Sequence, residues 1–382
     1  MIINIIKCLF IIIVLGVLGL LGLKRYLDCN PIHLGGTGTA IPAHCTVPQE
    51  RKERRLTMYK VERIKDALDF VCKHERRPPL SAETQALYEY ALYQDLHNMW
   101  TGKKNDEVWL NAAVYYRIAA ANGDYKANIR LQYLLSTNRV RYDGRSNLEE
   151  EGELSKLLAD SLLATAYYKL FGHLEKRYGV EEPDGSRFGF LRKAADLGNR
   201  EAQYVLGEYI RGIDDDETEA FRRELTKKLF KCSGEQGYGV AAYYLGIMYQ
   251  QDKDYKNALL AHHQGIKGGK YNSAFLLSGG FSGKYNESNE VKYFALAPDL
   301  ERAKRYEMIE DYLYHNEHLQ PKVPDLDEIV PLPPAELPAW DGKIAFQRWF
   351  EGESPEKPSE ALVKKLAAQA GLDWETGFPL KK

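Results

Sequence analysis

At 382 residues the chain has room for two or three ordinary domains or for one long repeat array. It is 44% hydrophobic and 28% charged, which supports a packed interior and excludes wholesale disorder, collagen-like structure and a polytopic membrane protein. The 52 Lys and Arg against 54 Asp and Glu leave a net charge of −2, without the basic excess that marks a nucleic-acid binder.

Mean hydropathy is −0.46, although the chain opens on an apolar run from Ile2 to Leu23 broken only by Asn4 and Lys7. As a helix this run reaches about 33 Å, enough to cross the hydrocarbon core of a bilayer once. Its apolar core is too long for a typical signal peptide, and Lys24, Arg25, Tyr26, Leu27 and Asp28 follow where a small-x-small cleavage site would stand. Residues 1–25 therefore read as a transmembrane anchor. Orientation is undecided by charge, because the amino terminus and Lys7 are balanced by Lys24 and Arg25. Outside the anchor lie Cys29, Cys45, Cys72 and Cys232, which allow three connectivities if they pair. Cys29 and Cys45 flank a loop-like stretch and can close it in an oxidising compartment; free thiols are the other reading.

Residues 26–55 read as a linker. Its Gly35-Gly36-Thr37-Gly38-Thr39 lacks the Gly-Lys-Ser/Thr ending of a phosphate loop and the strand-then-helix setting of a dinucleotide fingerprint. Seven basic residues between Arg51 and Lys65 form one side of a predicted helix whose other side carries Val61, Ile64, Leu68 and Val71. From about residue 56 to 320 the spacing of apolar residues is helical throughout, and Ser81, after Pro78-Pro79, is placed to cap a helix start.

Within that span the chain repeats itself. Tyr115 to Ala127, Phe190 to Ala202 and Leu229 to Ala241 superpose, with a weaker copy around Gly269 and Ser273. Gly123, Gly198, Gly237 and Gly269 are 75, 39 and 32 residues apart, and with two units in the first interval these match the roughly 34–40 residues of a helix-turn-helix repeat. Small residues precede each glycine, which ends one helix in the left-handed conformation; Ala127, Ala202 or Ala241 then opens the contact face of the next. Gly207 and Gly246 permit close packing along the second helices. The fold class predicted is all-α, a helical-repeat solenoid with an N-terminal transmembrane helix and a proline-rich C-terminal extension. Most tyrosines, Tyr209 and Tyr249 among them, fall at packing positions, whereas Tyr125, Tyr238 and Tyr271 sit in the turns between helices and are the candidates for partner contact.

Ala194-Ala195 to Tyr209 and Leu229 to Tyr249 carry a signature that resembles the Sel-like repeats, relatives of the tetratricopeptide repeats. Asp325 to Ala335 and Leu337 to Gly342 resemble a C-terminal domain of unknown function found with Sel-like repeats in Gram-negative bacteria. The resemblance implies an immunity protein of the type VI secretion system, bound to a secreted toxin, several of which are phospholipases. It also implies a single-pass protein of the bacterial inner membrane with its soluble part in the periplasm. An inner-membrane or periplasmic scaffold or regulatory adaptor for a resident protein complex is the alternative.

Residues 321–382 form the C-terminal domain. Six prolines between Pro321 and Pro338 favour an extended path along which Ile329, Val330, Leu332, Leu337 and Trp340 can lie, as a strap closing the end of the solenoid; Ser359 to Ala370 reads as a short amphipathic helix. The chain shows no nucleophile elbow, no His-Glu-x-x-His and no paired Cys-x-x-Cys, so the expectation is a binding protein rather than an enzyme, with no cofactor and no metal. His315 with His318 and the pair His262-His263 read as surface residues. Cys72 reads as a core residue beside an exposed His74, and Asp214 to Glu217 as a solvated loop.

Overall fold

The computed structural model describes residues 69–99, 106–141, 144, 146–176, 186–289 and 291–380. The predicted anchor, the linker and the Cys29–Cys45 pair lie outside these residues; among those described, no helix is long and apolar enough to cross a membrane. The regular secondary structure of the described residues is helical, with one isolated bridge between Leu372 and Pro379. In order come α1 (Ala82–His97), α2 (Asp106–Ala121), α3 (Tyr125–Ser136), α4 (Asn147–Ala159), α5 (Leu163–Glu175), α6 (Ser186–Asp196) and α7 (Arg200–Arg211). They continue as α8 (Glu219–Glu235), α9 (Gly239–Gln251), α10 (Tyr255–Lys267), α11 (Tyr271–Phe281) and α12 (Leu300–His315), then the short tail helices α13 (Leu326–Ile329), α14 (Ala345–Glu351) and α15 (Glu360–Gln369). From α1 to α12 every helix packs on its successor, the nearest-neighbour order of a repeat array.

Ser81 caps α1, accepting from the Thr84 amide at 3.0 Å. The repeat glycines end their helices with φ of +88° at Gly123, +105° at Gly198, +78° at Gly237 and +88° at Gly269. The next residue then caps the second helix in two of the units, Asp124 accepting from Ala127 N and Asn199 from Ala202 N. Ala127, Ala202, Ala241 and Ser273 are wholly buried on the contact face of the second helices. Further along these helices a glycine admits a ring: a Cβ on Gly207 would lie 2.6 Å from the Phe230 ring of α8, on Gly246 2.5 Å from His262 of α10, and on Gly280 2.6 Å from Phe294 in the segment before α12.

Residues 69–80 depart from the predicted helix and run extended. Pro78-Pro79 cannot continue a helix, and the backbone of this strap bonds to the array instead. Glu75 N donates to Gly198 O at 3.1 Å, Lys73 O accepts from Gln203 Nε2 at 2.9 Å, and the Glu75 carboxylate accepts from the amide and hydroxyl of Thr165. Cys72 is therefore an exposed residue rather than a core one, joined by a disulfide to the buried Cys232 of α8 with Cα atoms 5.6 Å apart.

The C-terminal tail does the same at the other end. Val323, Leu326, Ile329 and Val330 are buried with residues of α10, α11 and α12, so the proline-rich strap does close the last helices. The tail then reaches the first pair: Val363, Leu366 and Ala367 of α15 share a core with Leu87 of α1 and Ala113 of α2, as does Leu319 just beyond α12. Two strap contacts fall on repeat turns, since a Cβ on Gly198 would lie 2.5 Å from Glu75 N and one on Gly269 2.1 Å from Pro321 O, whereas Gly123 faces open space. Gly123→Ala is expected to cost about 1–2 kcal/mol from its left-handed backbone alone. Gly269→Ala, which adds a collision with the strap, should cost about 3 kcal/mol or more in the same thermal unfolding series. Equal losses at the two sites would contradict this account of the turn.

His262 and His263, expected at the surface, are both buried. His262 lies against Ser273 Oγ (3.2 Å) and Gln250 Oε1 (3.0 Å), and His263 against the Tyr306 hydroxyl (3.1 Å) and Asp327 Oδ1 (2.8 Å), with Lys267 also on Asp327. Partners on other helices make burial affordable, and adjacent sequence does not show them. Burial pushes His262 down to about 3 and lowers His263 as well. The folded chain then refuses protons that the unfolded chain takes up near its ordinary histidine pKa of about 6.5, so stability is complete above that pH and falls as pH drops toward 3. For His262 the loss between pH 6.5 and 5 should be about 2 kcal/mol. Urea midpoints measured at pH 7.5 and 5 should separate in the wild type and draw together in His262→Gln.

Candidate functional site

The second helices α5, α7, α9 and α11 turn an aromatic residue away from their contact face. Two residues beyond Ala166, Ala202, Ala241 and Ser273 stand Tyr168, Tyr204, Tyr243 and Phe275, about 200° round a helix from the small residue that faces the core. The three tyrosines are half-buried and Phe275 is 46% exposed. Tyr204 stacks on Tyr244 with ring centres 6.1 Å apart, and Tyr244 meets Tyr243 edge-on at 5.1 Å. Cations lie over several rings of this surface: Arg211 over Tyr244, Lys193 over Tyr167 and Lys292 over Phe275. Burial raises the hydroxyl pKa of Tyr168 and Tyr204, so both stay neutral hydrogen-bonding groups.

An exposed aromatic pair on α6 and α7 adjoins this row. Tyr209, predicted to be core, is 41% exposed, as is Phe188; the two rings meet edge-on at 5.2 Å. Tyr209 escapes the core because its hydroxyl donates to Glu175 Oε1 at 2.8 Å on the outside of α5, while its ring rests edge-on against Phe171. Arg187 lies over the Phe188 ring.

Beside this pair a cavity of about 310 Å³ opens between α3, α4 and α5. Phe171 and Tyr168 form its aromatic side, and Glu151, Lys169, His173 and Glu175 its polar side. Glu151 is only 6% exposed, and its Oε1 has no hydrogen-bond partner. Desolvation raises the Glu151 pKa against the pull of Lys169 and Lys176, and burial lowers Lys169 and His173. An unfilled carboxylate acceptor between aromatic walls suits an N–H donor from another molecule. A larger groove of about 730 Å³ separates α1 and α2 from the tail, with Tyr90, Tyr115 and Trp374 among its walls.

The turn tyrosines chosen from the sequence are not presented as one exposed edge. Tyr125 is 9% exposed, with Arg77 of the N-terminal strap 6.0 Å from its ring centre. Tyr238 packs on Tyr204 at 5.4 Å and so borders the aromatic row, and Tyr271 packs edge-on against Tyr314 at 5.2 Å. Strap residues reach two of these sites, Arg77 at the Tyr125 ring and Pro321 at the Gly269 turn before Tyr271. Sequence reasoning missed Phe188, Tyr209 and Glu151; the i+2 aromatic register of the second helices was the available signal for the row they adjoin.

Residues 273–380 match a family described as a domain of unknown function, DUF6396. Among curated proteins none matches. Among solved structures the chain is similar to immunity protein Pa5087 from Pseudomonas aeruginosa, with 28% identity and a TM-score of 0.51 over 70% of this chain and 95% of that one. Immunity protein PA5088 from the same organism gives 27% identity and a TM-score of 0.51 over 69% of this chain and 94% of that one. A Sel1 repeat protein from Oxalobacter formigenes is 18% identical over 59% of this chain and 86% of that one, with a TM-score of 0.36. The resemblance to immunity proteins therefore stands over nearly their whole length, and the C-terminal part carries the DUF6396 match.

Proposed function

We propose that this chain is an immunity protein that neutralises a toxin by stoichiometric occlusion, without turnover. The observation that carries the reading is its likeness to two immunity proteins across 94–95% of their length. The toxin is a secreted type VI effector, of the phospholipase kind that the repeat and tail resemblance implies. Ile2 to Leu23 holds the protein in the inner membrane, and the array works in the periplasm; a disulfide between Cys72 and Cys232 supports an oxidising compartment. The toxin meets the aromatic row from Tyr168 to Tyr243 and the Phe188–Tyr209 pair, rigid amphipathic anchors of the kind that dominate protein interfaces. One Arg or Lys of the toxin enters the neighbouring cavity and fills the open acceptor of Glu151.

Co-expression with the product of the adjacent gene, directed to the periplasm, should restore growth; unchanged toxicity with the wild-type chain would sink the reading. Phe188→Ala and Tyr209→Ala, both at half-exposed positions, should each weaken toxin binding about 30-fold, the equivalent of about 2 kcal/mol, as measured by calorimetric titration.

A further inference from the structure

The strap and α8 meet at more than a disulfide. Cys72 and His74 are two residues apart on an extended segment, a spacing that points both side chains to one side. Cys232 and Glu235 are three residues apart on α8, one turn along the same face. The two sulfurs and a ring nitrogen of His74 lie within 4.8 Å of one another, and His74 Nε2 is 3.7 Å from Glu235 Oε2. His74 and Glu235 are each about half-exposed, so a cation can reach them from solvent.

We infer that these four residues form a second latch, a tetrahedral site for a thiophilic divalent cation of the zinc type, which replaces the disulfide when the two cysteines are reduced. Two thiolates, an imidazole and a carboxylate are a donor set that zinc accepts, at about 2.3 Å to sulfur and about 2.0–2.1 Å to nitrogen. The Cα separation of 5.6 Å suits a disulfide, and rotation about χ1 parts the sulfurs far enough for both to reach one ion. The exchange balances. A dithiol attacks the disulfide, leaves as a cyclic disulfide having given up two electrons and two protons, and yields two cysteine thiols. The cation then displaces one proton from each thiol as the Cys72 and Cys232 thiolates bind it. Either way the strap stays fastened to α8, by a covalent bond in oxidising surroundings and by the ion in reducing ones.

The test uses the full-length chain in detergent with Cys8, Cys29 and Cys45 replaced by Ser, so that Cys72 and Cys232 are the remaining thiols. After phosphine reduction and removal of the reductant, Zn2+ is titrated against a chromophoric chelator, and Co2+ is used as a spectroscopic probe. The reduced chain should take up one equivalent of metal, the oxidised chain none, and bound Co2+ should show a thiolate charge-transfer band. His74→Ala and Glu235→Ala, both at the surface, should each lower the affinity about tenfold or more. Uptake by the reduced chain no greater than that of its Cys72→Ser variant, or a Co2+ spectrum without thiolate ligation, would overturn the site. So would full affinity in both His74→Ala and Glu235→Ala.

Discussion

Replacing Glu150 by Ala is expected to lower folding stability by about 3–5 kcal/mol, among the largest effects of any single change in the array. Its partner Arg117 sits on α2, Glu150 on α4, and their side chains are only 4% and 5% exposed. The guanidinium donates through Nε at 2.5 Å and through Nη2 at 3.1 Å, while the Phe378 ring lies 4.1 Å from it and Thr376 O accepts a longer bond. Truncating Glu150 takes the bidentate carboxylate from a buried guanidinium beneath the tail, and arginine cannot shed its charge in compensation. The pair itself is a poor source of net stability, so the double variant Arg117→Met with Glu150→Leu should recover most of the loss. Urea denaturation followed by tryptophan fluorescence distinguishes the cases; a double variant as unstable as Glu150→Ala would show that the ions contribute more than their desolvation costs.

Removing the Cys72–Cys232 disulfide should rank beside it. The bridge joins residues 160 apart, and the chain-entropy model gives about 5 kcal/mol for a loop of that length, against a more usual measured range of about 2–4. Cys72→Ser is the cleaner test, since Cys72 is exposed and leaves no buried hole. Its thermal midpoint should fall under non-reducing conditions by the same amount that reduction, with metal excluded, lowers the wild type. A local effect accompanies the global one. Lys73, Arg76 and Arg77 stand exposed on the strap, and trypsin should cut there sooner in the variant than in the wild type. Equal cleavage rates would mean that the hydrogen bonds from Glu75 and Lys73 hold the strap unaided.

The array was legible because its signals are local. A glycine that must take positive φ, a small residue four positions on, and a Ser, Asp or Asn before a helix each act within one turn of chain, and Ser81, Gly198, Asn199 and Ala202 behave as that logic requires. What escaped depends on partners distant in sequence. Val61, Ile64, Leu68 and Val71 read in sequence as a helix face, yet from residue 69 onward the strap is not helical and finds its hydrogen bonds on α5, α7 and the Gly198 turn. Four cysteines leave their connectivity open. His262 and Glu151 carry polar side chains that would ordinarily face water, and nothing beside them in sequence announces their burial. The turn tyrosines were chosen as though the turns were bare, but Arg77 comes back over Tyr125, Pro321 over the turn before Tyr271, and Tyr238 packs on Tyr204.

The tail's return to the first helix pair bears on how the chain acquires its structure. Stacked repeats ordinarily assemble from any point and fray from either end, because each needs only its neighbours. Here Lys365 pairs with Glu83 across 282 residues, and Tyr93 donates to Gly352 O across 259. Such closure gives an otherwise local topology a few contacts of very high order, which are slow to form. During synthesis α1 and α2 emerge first but wait for the last residues of the chain to cover Leu87 and Ala113, so the amino-terminal pair matures last. Once complete, α1 cannot open without releasing α15, and its amides should exchange with solvent as slowly as those of mid-array helices such as α8 rather than as the loose end of a stack.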